Sequence, residues 1–180
     1  MVSSLTLRRW MFHLIYILIC IIIISLQIQP LKIISNEIFW PDFIFMFTTA
    51  WLLRRPKYLP FFLIISVHFV SDMLLFNPIG LWSAISIIGY EFIRRQALSQ
   101  RVLKMSEELL LVSIVFTFLM CTLIGFQFIF AINNIPLSMV GYRICFTIVL
   151  YPGVVLFTHY LLSIRRPHPS DFKESRKVNG

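Results

Sequence analysis

Among the ionisable residues within apolar stretches of this chain, Asp42, His68, Asp72 and Arg143 stand out. His68 and Asp72 are four positions apart, so they share one face of a helix. A histidine beside a carboxylate at membrane depth can relay protons; more commonly such a pair ties helices together through hydrogen bonds. Arg143 could neutralise Asp72 or Asp42, or it could snorkel to water at a helix end. Ser66 and Ser71 add polarity near His68, and Glu91 is within helical reach of Arg94 and Arg95. His13 and His159 have no ligand spacing. Cys20, Cys121 and Cys145 are spaced neither as metal ligands nor as a redox pair and read as small core residues. No metal or cofactor is expected.

The chain carries no H-E-x-x-H, no G-x-S-x-G and no phosphate-binding loop. It has no pair of Gly/Pro-broken helices in matching halves, which would suggest a secondary transporter. Pro152, followed by Gly153, is the one proline away from the ends of a spanning stretch, and it predicts a kink. On this reading the protein is not an enzyme, and Asp42, His68, Asp72 and Arg143 form a structural or functional polar cluster.

Composition says what must hold these residues. Hydrophobic side chains make up 58% of the 180 residues, against roughly 45–50% in soluble domains, and mean hydropathy is +0.84. A water-soluble fold of this length could not hide so much apolar surface. The net charge of +8 sits in short clusters beside the apolar stretches, with no aromatic-basic module. Membrane topology and anionic headgroups explain it better than nucleic acid does.

The expected fold is all-α, an integral membrane protein with about six transmembrane helices. Spanning stretches run over about 11–29, 38–53, 58–76, 81–93, 109–132 and 140–163. The fourth is short unless it extends into Arg94-Arg95-Gln96. Pro30 ends the first, and Asn77-Pro78-Ile79-Gly80 and Asn133-Asn134-Ile135-Pro136 are turns. The first stretch lacks a small-x-small cleavage site and reads as an uncleaved helix. Fourteen of the 16 Lys and Arg residues fall in alternate gaps or at the two ends. By the positive-inside rule both termini are cytoplasmic. Residues 1–164 form one transmembrane domain, and 165–180 are a polar, disordered cytoplasmic tail.

Between Trp40 and Leu81 the chain resembles the rod shape-determining protein MreD family. Trp40-Pro41-Asp42-Phe43 opens the second helix, Arg54-Arg55-Pro56 and Leu59-Pro60 make an inner turn, and Asp72 with Asn77-Pro78-Ile79-Gly80 closes the third. The motif positions are thus Pro41, Asp42, Arg55, Pro56, Pro60, Asp72, Pro78 and Gly80. Where the family often has Gly-Leu before the aspartate, this chain has His68-Phe69-Val70-Ser71. The resemblance implies a scaffold of the cell-elongation machinery in the bacterial inner membrane. Its partners would be an MreC-like single-span protein and, through it, the actin-like filament, a SEDS glycosyltransferase and a transpeptidase. The family's fold is similar to the substrate-binding subunits of energy-coupling vitamin importers. A small-molecule binding subunit of such an importer is therefore the competing expectation, and a lipid-handling protein or membrane enzyme built on the same polar cluster is a third.

Overall fold

A computed structural model describes residues 2–28, 41–75, 80–99, 104–130 and 137–162. Within them are six α-helices and no strand: α1 (Val2–Ile28), α2 (Phe43–Arg54), α3 (Phe61–Leu74), α4 (Leu81–Leu98), α5 (Met105–Ile129) and α6 (Leu137–Leu162), with a 3-10 turn at Pro56–Tyr58. Trp40, Pro78, the expected turn at 133–136 and the tail from 165 lie outside the described residues.

Sequential helices run in alternating directions. At one end of the bundle Phe12 of α1 packs edge-on against Tyr58 and Trp51. There too, Arg94 near the end of α4 donates to the carbonyl of Leu59 at 2.9 Å. At the other end Gln27 of α1 donates to the carbonyl of Pro41 at 3.3 Å, and Asp72 of α3 meets Ser83 of α4. The first end carries the basic clusters and is called the basic end below.

The centre of the bundle is α2. Ten of its 12 residues are buried, and it packs on α1, α4 and α6. A helix of that length is about 18 Å long. It is apolar on every side because every side meets protein: Phe45 stacks on Tyr90 and tilts against Phe116, while Trp51 meets Tyr16 and Phe47 edge-on. The outer helices are one-sided. In α1, Tyr16, Cys20 and Ile24 recur every four residues and are buried, while Leu14, Leu18 and Ile21 are exposed. In α5, Val112, Val115, Phe116, Leu119 and Leu123 face inward, while Ile114, Phe118 and Phe128 face outward.

An exterior this apolar belongs in lipid. Arg9–Ile28, Met105–Ile129 and Ser138–Tyr160 are each long and apolar enough to cross a bilayer. The chain is therefore a membrane protein. Phe43–Arg54 and Phe61–Leu74 are apolar but shorter, so length and hydropathy single out three of the expected six spans.

Several boundaries differ from the hydropathy reading. Helix α1 begins at Val2, not near 11, and α3 occupies 61–74, since Pro56 starts the 3-10 turn and Pro60 caps α3. Helix α4 continues to Leu98. Helix α5 starts at Met105, not near 109. Its polar first turn is helical because the Glu107 carboxylate accepts the Lys104 N–H at 3.2 Å. Hydropathy sees where lipid begins; a helix continues for as long as its backbone is capped. Pro152 does not interrupt α6, although it removes one N–H from the ladder. Cys20 is buried as expected, but Cys121 and Cys145 are exposed on the apolar exterior. An apolar neighbourhood in sequence does not distinguish a protein-facing from a lipid-facing position.

Two glycines are dictated by geometry. Gly80 takes φ of +81° immediately before α4, a left-handed conformation that a Cβ disfavours. At Gly89 a Cβ would lie 2.6 Å from Leu119 Cδ1 and 3.2 Å from Val115 Cγ1, so α4 and α5 meet closely there. Gly89→Leu should lower unfolding stability in detergent by about 1–3 kcal/mol through overpacking. Gly125→Leu, where a Cβ meets nothing within 4 Å, should change it much less. Equal losses at the two sites would show that α4 and α5 do not depend on close contact.

Candidate functional site

Buried polar groups join the helices at both ends of α2. At the end opposite the basic clusters, Asp42 precedes the first turn of α2, and its Oδ1 accepts the Phe45 N–H at 2.9 Å. This caps the helix and sets a negative charge at the positive pole of its dipole. Its Oδ2 accepts from Arg143 of α6 at 3.0 Å. The backbone N–H of Asp42 donates to Thr147 Oγ1 at 3.2 Å. The Arg143 guanidinium also lies 5.7 Å from the centre of the Trp82 ring of α4. Of the two partners open to Arg143 in the sequence, the structure uses Asp42.

Asp72 is fully buried, and its Oδ2 accepts the Ser83 N–H at 3.0 Å. Ser83 is in the first turn of α4, which Gly80 cannot cap because it has no side chain. A carboxylate from the neighbouring helix does so instead.

The expected His68–Asp72 contact is replaced by another. His68 Nε2 lies 2.7 Å from the Tyr90 hydroxyl, and Nδ1 lies 3.0 Å from the Ile64 carbonyl. Both ring nitrogens are engaged away from Asp72. Sharing a helix face places two side chains on one side but does not make them meet: Asp72 reaches forward to α4's first turn, and His68 reaches across to α4's middle. His68 and Tyr90 are both buried, so this bond joins α3 to α4 as a tie.

At the basic end lies a second cluster that the sequence reading did not single out. Arg54 in the last turn of α2 meets Glu108 of α5 at 3.1 Å, with side-chain exposures of 2% and 4%. Arg54 Nη1 donates to the Ala50 carbonyl at 2.7 Å, and the Tyr151 hydroxyl of α6 donates to the same Glu108 oxygen at 2.7 Å. One carboxylate therefore joins α2, α5 and α6. Arg54 was hidden among topology-setting basic residues, and Glu108 in a polar segment. The available signal was that Arg54 is contiguous with the apolar run of α2. Glu91 pairs with Arg95 at 3.3 Å and Arg94 at 4.0 Å. These more exposed contacts contribute little.

The resemblance motif falls on joints of the fold. The Pro41 carbonyl accepts from Gln27 and, at 2.9 Å, from the Phe43 N–H. Arg55 ends α2, its N–H bonded to Trp51 O at 2.8 Å, and its guanidinium lies 5.9 Å from the Tyr58 ring centre. Pro56 begins the 3-10 turn and Pro60 precedes α3. No group of three or more His, Cys, Asp or Glu residues that could hold a metal occurs among the described residues. Comparison with protein-family models, curated proteins and solved structures finds no match for this chain.

If Asp72 acts by capping α4, Asp72→Leu should lower stability by about 1–2 kcal/mol, the worth of a buried N-terminal acceptor. Asp72→Asn, which keeps an acceptor oxygen, should lose less than half of that in thermal unfolding. Equal losses would mean that the negative charge, not the cap, is what matters.

Proposed function

We propose that this chain is a non-enzymatic scaffold in the bacterial inner membrane, acting in the cell-elongation machinery. In this reading all six helices span the bilayer and both termini are cytoplasmic. An MreC-like single-span protein binds laterally and links the actin-like filament to the peptidoglycan synthases. The observation that carries the reading is the use made of the motif residues. Asp42 and Asp72 each cap a helix and join it to a neighbour, and Pro41, Arg55, Pro56, Pro60 and Gly80 lie at helix ends. A motif that builds the frame suits a protein whose product is its own shape. Helices packed around a short, buried α2, beneath a large apolar exterior, suit lateral contact with other helices.

The test is depletion in the native host, combined with affinity purification from its membranes. Rod-shaped cells should round up, and an MreC-like protein should co-purify. Cells that keep their shape but lose uptake of a vitamin would instead favour the importer subunit.

A further inference from the structure

A cavity of about 470 Å³ opens beside the Arg54–Glu108 pair, between the end of α2, the start of α5 and the last turns of α6. Its lining includes Arg54, Met105, Pro152, Leu156, His159 and Tyr160. We propose that it binds the phosphate of an anionic membrane lipid, with the lipid's glycerol and upper acyl chain against the apolar wall. The proposal requires only that the bundle sit in a bilayer and does not rest on the scaffold reading.

Three features carry it. The first is an asymmetry of charge. Arg54 lines the cavity, but Glu108, its counter-charge, does not, and among the described lining residues there is no carboxylate. Arg54 is 3% exposed, so this cation is held in place by the fold. A guanidinium has five N–H donors, more than the Ala50 carbonyl and the single Glu108 oxygen take up. Planar, forked donors match phosphate oxygens.

The second is the amphiphilic wall. Met105, Pro152, Val155 and Leu156 are apolar, while His159 and Tyr160 supply polar atoms. A free inorganic anion has no use for the apolar half, whereas a lipid has. The volume lies within the roughly 300–1,000 Å³ usual for small-molecule sites.

The third is position. Lys104 adjoins Met105, and Arg55, Arg94 and Arg95 belong to the same end of the bundle. Such an end attracts anionic headgroups. Leu156 and Tyr160 are exposed on the apolar exterior, so a lipid can enter sideways from the bilayer without crossing a polar barrier.

The experiment uses the full chain, delipidated in a neutral detergent, with thermal unfolding followed on addition of phosphatidylglycerol, phosphatidylcholine or inorganic phosphate. Phosphatidylglycerol should raise the melting temperature by about 5 °C near saturation. Phosphatidylcholine should raise it much less, and inorganic phosphate hardly at all. Two rim variants that leave the Arg54–Glu108 pair intact locate the effect: Leu156→Trp fills the mouth, and His159→Glu repels an anion. Each should remove most of the phosphatidylglycerol response. Equal responses to both lipids would overturn the preference for an anion. A matching response to inorganic phosphate would overturn the lipid. A full response in both rim variants would overturn the location.

Discussion

A helix buried on every side cannot keep a charge at either end unless another helix brings the opposite one. This constraint organises the molecule. Helix α2 places Asp42 at its positive pole and Arg54 at its negative pole, the orientation its dipole favours. Both charges are nevertheless almost wholly buried, and the dipole alone cannot offset their desolvation. Arg143 of α6 answers Asp42, and Glu108 of α5 answers Arg54. The two ends of one short helix thus determine where two long helices lie. Tyr151 and Thr147, both in α6, add hydrogen bonds at the two ends, so α6 is aligned along its length with α2.

The remaining ties follow the same logic on a smaller scale. Tyr16 of α1 and Thr48 of α2 share a hydrogen bond at 2.8 Å, and His68 and Tyr90 join α3 to α4. In lipid there is little hydrophobic drive between helices, since the acyl chains are as apolar as leucine. Close packing, as at Gly89, and a few interhelical polar contacts therefore decide the arrangement. Apolar residues fill the space around α2, and many more coat the exterior. Between α1 and α6 that coat includes a groove of about 750 Å³ lined by residues such as Ile15, Ile22, Phe47 and Val154.

The sequence showed helices readily and contacts poorly. Each helix coincides with an apolar run, because lipid demands both apolar side chains and a backbone bonded within its own segment. The Arg143 pairing was legible down to two partners, since a charge in an apolar run must meet an opposite one. The Arg54–Glu108 pair at the basic end was not, because each residue borders a polar segment and looks solvated. His68 was placed on the face of the nearest carboxylate and read most readily as a helix tie; its hydrogen-bond partner across the helices is Tyr90, whose hydroxyl is hard to tell in sequence from one that faces a headgroup. The centrality of α2 was hidden for a related reason: a helix apolar all round reads alike whether protein or lipid surrounds it.

The most direct test of the account is a double-mutant cycle on the basic-end pair, with Arg54→Met, Glu108→Leu and the combination unfolded in mixed micelles. Each single change strands a buried charge and should lower stability by about 3–5 kcal/mol. The double variant, which strands none, should lose far less than the two losses added together. If the single losses were each below about 1 kcal/mol, or simply summed, α2 would not be held by paired charges, and the packing around it would have to carry the fold alone.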